Sequence, residues 1–89
     1  MKKLLQTLTE TFGPAGYEDE VREVVRNEIK SLADEIRVDA LGNLIARKRP
    51  RKTAQAARKI MIAAPLDEIG VMVSHVDKNG FVRFSPIGK

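Results

Sequence analysis

The chain has 89 residues, 43% of them hydrophobic and 31% charged, a composition that excludes a disordered tail and fits one small domain or part of a larger one. It has no cysteine, which excludes a disulfide scaffold, a thiol nucleophile and every cysteine-based zinc site. The net charge of +4 is uneven: Arg47, Lys48, Arg49, Arg51, Lys52, Arg58 and Lys59 form a cluster without an acid, and the remainder is mildly acidic.

Leu4, Leu5, Leu8 and Phe12 recur at helical spacing and predict a short helix from Lys2 to Thr11. Met1-Lys2-Lys3 opens like a signal peptide, but the chain turns polar at Gln6 before an apolar core develops, so a cytoplasmic protein is expected. Gly13-Pro14-Ala15-Gly16 breaks the helical pattern. Glu18, Asp19 and Glu20 suit the positive end of a second helix. Val21, Val24, Val25, Ile29 and Leu32 form one apolar stripe, predicting a helix from Tyr17 to Ala33.

The period then changes from helical to alternating. Ile36 and Val38 alternate with Arg37 and Asp39 as in a half-buried strand. Ala40-Leu41-Gly42-Asn43 reads as a turn and Leu44 to Lys48 as the returning strand. Pro50 to Ala57 reads as a loop, with a helical turn at Ala54 to Ala57. Ile60 to Ala64 is apolar on both faces, as in a central strand covered on both sides. The longest apolar run, Ile60 to Leu66, is far short of the ~20 residues that cross a bilayer, so no membrane partner is expected. Val71 to Val76 and Phe81 to Phe84 flank Asp77-Lys78-Asn79-Gly80, a hairpin turn in which Asn-Gly tolerates positive φ. Two helices followed by strands predict α+β, or the opening of an α/β domain.

Few residues suggest chemistry. Asp67 and Glu68 follow the apolar strand, where open α/β sheets gather functional groups. They read either as a carboxylate pair near a metal or substrate amine, or as a turn aspartate beside an exposed glutamate. His75 is the single histidine. If Val71, Val73 and His75 share a face, the histidine lies among apolar neighbours. A metal role for it requires two further ligands. Asp77 is accounted for as a turn residue that bonds backbone two residues on. The basic cluster reads as a phosphate contact or as a solvated loop. It lacks the aromatics that stack on bases, which argues against nucleic acid.

Four segments together resemble a known family. They are Phe12-Gly13-Pro14-Ala15-Gly16-Tyr17-Glu18-Asp19-Glu20-Val21-Arg22, Val38-Asp39-Ala40-Leu41-Gly42-Asn43-Leu44-Ile45-Ala46, Asp67-Glu68-Ile69-Gly70-Val71-Met72-Val73 and Val76-Asp77-Lys78-Asn79-Gly80-Phe81-Val82-Arg83-Phe84. In this order they are similar to the start of the two-metal aminopeptidases that include glutamyl, deblocking and tetrahedral aminopeptidase. Some relatives carry the name cellulase or endoglucanase. The resemblance implies residues 1–89 as a partial catalytic domain ending where an inserted domain begins. It implies two N-terminal helices packed on a small mixed sheet, the opening of an exopeptidase-like α/β sandwich.

The resemblance also implies hydrolysis of N-terminal residues from peptides by two divalent metals, zinc or cobalt, which lower the pKa of a shared water and polarise the scissile carbonyl. The family places a metal-binding histidine two positions before the motif aspartate. Here that position is Pro65, which offers a metal no lone pair. Asp67 matches the aspartate that orients this histidine. The bridging aspartate, the general-base glutamate and the other ligands belong to later parts of the family's chains. The expectation is therefore a partial aminopeptidase, inactive alone and binding no metal itself. The alternatives are an accessory module that self-associates or pairs with a full-length relative, and a nucleic-acid binder using residues 47–59.

Overall fold

The structure is a computed structural model that describes residues 1–51 and 58–88. Helix α1 runs Lys2–Glu10. Thr11 ends it with extended backbone, and its hydroxyl donates to the Thr7 carbonyl at 2.6 Å. Helix α2 runs Asp19–Ile29, with Asp19 and Glu20 in its first turn and Arg26 in its last, as the helix dipole favours. It stops short of the predicted Ala33. The N–H groups of Leu32 and Ala33 both turn back to the Ile29 carbonyl as the chain swings toward the first strand.

Strands β1 (Glu35–Val38) and β2 (Leu44–Arg47) pair antiparallel, with Ile36 opposite Ala46 and Val38 opposite Leu44. Opposite residues share a face, so these four apolar side chains line one side of the hairpin. Strands β3 (Gly70–Val76) and β4 (Val82–Ile87) form a second antiparallel pair. The expected α/β class with two leading helices is present, and its strands divide into two separate two-stranded sheets. One parallel bridge, Pro14 to Glu68, joins the start of the chain to the approach to β3.

Both hairpins close with the same device. The Asp39 N–H donates to the Asn43 carbonyl and the Asp77 N–H to the Phe81 carbonyl. Each aspartate side chain then accepts backbone N–H groups two and four residues on. Gly42 and Gly80 take φ of 86° and 85°, the left-handed position of a three-residue loop. Asn79 keeps negative φ, so the Asn-Gly pair makes a different turn from the two-residue one its sequence suggests.

The predicted central strand Ile60 to Ala64 does not form. The segment has no strand assignment, and Ile60, Met61 and Ile62 are 85%, 90% and 91% exposed. A strand needs a neighbour for its ladder, and each described sheet contains only the two strands of its own hairpin. The helical turn expected at Ala54 to Ala57 lies outside the described residues.

Val21, 6% exposed, is the one buried hydrophobic residue among those described. The radius of gyration is 18.2 Å, against ~12 Å for a compact chain of this length. What packing there is centres on Gly13, where an added Cβ would stand 2.7 Å from Val21 Cγ1. The Gly13 carbonyl accepts the Glu68 N–H at 2.9 Å. Gly13→Ala is expected to cost about 1–3 kcal/mol through overpacking. The readout is amide exchange at Glu68, which should speed at least about tenfold; an unchanged rate contradicts this packing.

Candidate functional site

Of the candidate residues, Pro65 and Asp67 lie along one open groove of about 1000 Å³. One wall is α2 with the β1–β2 hairpin, and the other is the extended chain from Ile60 to Asp67. Glu18, Asp39 and Asp67 contribute carboxylates to its lining, Arg37 a cation, and Pro65 and Leu66 apolar surface. Asp67 and Pro65 are exposed. Glu68 is also exposed and is held by its backbone against Gly13. It is absent from the groove lining.

Among the described residues, no three His, Cys, Asp or Glu side chains stand close enough to hold a metal ion. Pro65 supplies no donor, and Asp67 has no neighbouring histidine to orient. The donor set present does not fit a two-metal centre.

His75 sits elsewhere. Ser74 is the extra residue of a β-bulge, so Val73 opposes Phe84 while His75 opposes Arg83. The bulge reverses the alternation and puts His75 on the opposite face from Val71 and Val73, contrary to the shared face considered from sequence. Val71, Val73, Val76, Val82, Phe84 and Pro86 thus form one apolar face, which is exposed. The exposed His75 shares the other face with Arg83.

Two features of the groove rim were not singled out from sequence. Asn43 Nδ2 donates to Asp39 Oδ2 at 2.9 Å, and its backbone N–H donates to Oδ1 at 2.9 Å. These bonds, with a smaller one from the Leu41 N–H and the nearby Arg37, hold the Asp39 carboxyl below the usual carboxylate range. The signal was the spacing Asp-x-x-Gly, which recurs at Asp77. The second feature is Arg22. Its guanidinium donates to Asp19 Oδ1 at 2.6 Å, and its Nη2 stands 2.9 Å from where a Cβ on Gly42 would be. Arg22 Nε is buried without a partner.

The basic cluster is partly engaged. Lys48 lies 4.0 Å from Asp34, the Arg49 N–H donates to Asp34 Oδ2 at 2.6 Å, and Arg47 opposes Glu35 across the hairpin. Its middle, residues 52–57, lies outside the described residues.

A sequence profile described as M42 glutamyl aminopeptidase matches residues 42–89. A putative aminopeptidase of Acetivibrio thermocellus is 50% identical over 88 residues, which cover 99% of this chain and 25% of the relative. The solved TET aminopeptidase of a marine-sediment Thaumarchaeota archaeon matches with a TM-score of 0.84 and 33% identity, over 99% of this chain and 23% of its own. A Thermotoga maritima structure titled endoglucanase matches with a TM-score of 0.81 and 39% identity, over 96% and 26%. The chain therefore spans about a quarter of the length of the relatives it matches. No helix among the described residues is long and apolar enough to cross a membrane.

Because the Asp39 carboxyl is lowered in the folded chain, its contribution to the turn is complete above the unfolded value and is lost as pH falls through the folded one. Protection of the Leu41 and Asn43 amides is expected to hold from neutral pH to about pH 4 and to fall below it. Asp39→Asn should flatten that profile. Amide exchange followed by NMR checks both, and a wild-type profile in the variant contradicts the assignment.

Proposed function

The chain belongs to the M42 glutamyl aminopeptidase family, and on that premise we propose that it forms the N-terminal quarter of a unit that removes N-terminal residues from peptides. Its own role is structural and positional. It supplies the floor of a groove, with Asp67 on one wall and the Asp39 turn on the other. The observation that supports this reading is coverage: 99% of this chain aligns with only 25% of the Acetivibrio relative. The missing donor set supports a second element, that the chain by itself does not hydrolyse peptides. Zinc or cobalt, the metals implied by the resemblance, would have to be held by residues outside those described here.

The purified 89-residue chain is expected to release nothing from aminoacyl-p-nitroanilides in zinc or cobalt above a metal-only blank. Turnover above that blank overturns the reading. A second test puts this chain in place of the matched quarter of the Acetivibrio protein. With Pro65 that chimera should be the weaker enzyme, and Pro65→His should raise turnover by on the order of 100-fold. Equal rates in the two chimeras would show that position 65 has no part in the reaction.

A further inference from the structure

We propose that the basic segment following β2 is a phosphodiester-binding site, and that it holds the backbone of a nucleic-acid duplex without reading its sequence. Six cations carry it: Arg47, Lys48, Arg49, Arg51, Arg58 and Lys59, all exposed and all among the described residues. No acid interrupts the sequence from Arg47 to Lys59. None of the six lines the groove described above, so binding here does not depend on peptide hydrolysis.

Asp34 holds the first part of the segment extended. Its N–H donates to the Arg47 carbonyl at 2.9 Å, and its carboxylate accepts the Arg49 N–H at 2.6 Å. These bonds carry the chain past the end of β2, and Pro50 restricts Arg49 to extended backbone. Alternate residues of an extended chain project to one side about 7 Å apart. Arg47 and Arg49 therefore share a side, far enough apart for each guanidinium fork to take its own phosphate. Lys48, between them, lies 4.0 Å from the Asp34 carboxylate. Among the described residues no ion pair occupies the guanidinium groups of Arg47, Arg49, Arg51 or Arg58.

The ligand follows from the chemistry of these groups. Four of the six cations are arginines, whose planar forks match phosphate oxygens better than a lysine ammonium does. The segment has no aromatic side chain, so it is unsuited to a single strand, which is held by stacking on its bases. A duplex hides its base faces and presents its phosphates outward, with roughly one charge per 1.7 Å of axis. An anionic membrane is held by apolar side chains inserted beside the charge, and residues 47–51 include no large apolar side chain.

The test titrates the purified 89-residue chain into a short fluorescent DNA duplex over a range of salt, read by anisotropy. With about four to six phosphate contacts, log affinity should fall against log salt with a slope of about −4 to −5, a loss of about 300- to 1000-fold for a fourfold rise in salt. The double variant Arg49→Ala with Arg51→Ala should make that slope shallower by about 2. Lys78→Glu, on the turn of the other hairpin, changes the net charge equally and should leave the slope as it is. Absence of binding at low salt overturns the proposal. Equal losses in the two variants overturn the site, because they show a response to net charge alone. Tighter binding to a single strand of the same length, or to phosphatidylserine vesicles, overturns the choice of ligand.

Discussion

The close approach at Gly13 is the contact on which the long-range organisation depends. A glycine there lets Val21 of α2 lie against the backbone, and any Cβ would occupy the space of the Val21 methyl groups. The same residue offers its carbonyl to Glu68, and Pro14 next to it makes the parallel bridge. One short loop thus binds the helical start of the chain to the approach to the second hairpin. Without it, α1–α2 and β3–β4 would be separate local structures.

The two hairpins are stabilised by a different means. Each folds around an aspartate whose carboxylate accepts backbone N–H groups across a three-residue loop, with glycine in the left-handed position. These bonds are local in sequence, so forming them incurs little loop-closure entropy. That is how well-defined strands exist beside an exposed apolar face. Arg22 extends the first turn to α2, since its guanidinium fits beneath Gly42 where a side chain would obstruct it.

Apolar surface and candidate chemistry are arranged around the same absence of cover. The groove holds Asp67 and Asp39 on opposite walls, but with Pro65 in the lining it gathers no metal donor set among the described residues. The apolar face from Val71 to Pro86 and the run from Ile60 to Ile62 are both exposed. Both are larger than the scattered apolar residues usual on a folded surface. The chain spans about a quarter of the length of the relatives it matches, and its helices and turns are set locally.

The sequence by itself determined what local physics controls. The helical stripes of α1 and α2, the alternation at Ile36 and Val38, and the positions of the two hairpin turns were legible because each depends on neighbours within a few residues. The family was legible because four motifs fall in order along the chain. Tertiary structure decided the rest. Ile60 to Ala64 has the composition of a buried strand, but a strand exists only beside a partner, and no described strand adjoins it. The face of His75 was set by the extra residue at Ser74, which alternation does not reveal. The bond between Glu68 and Gly13 is a pairing across more than fifty residues that no local pattern encodes.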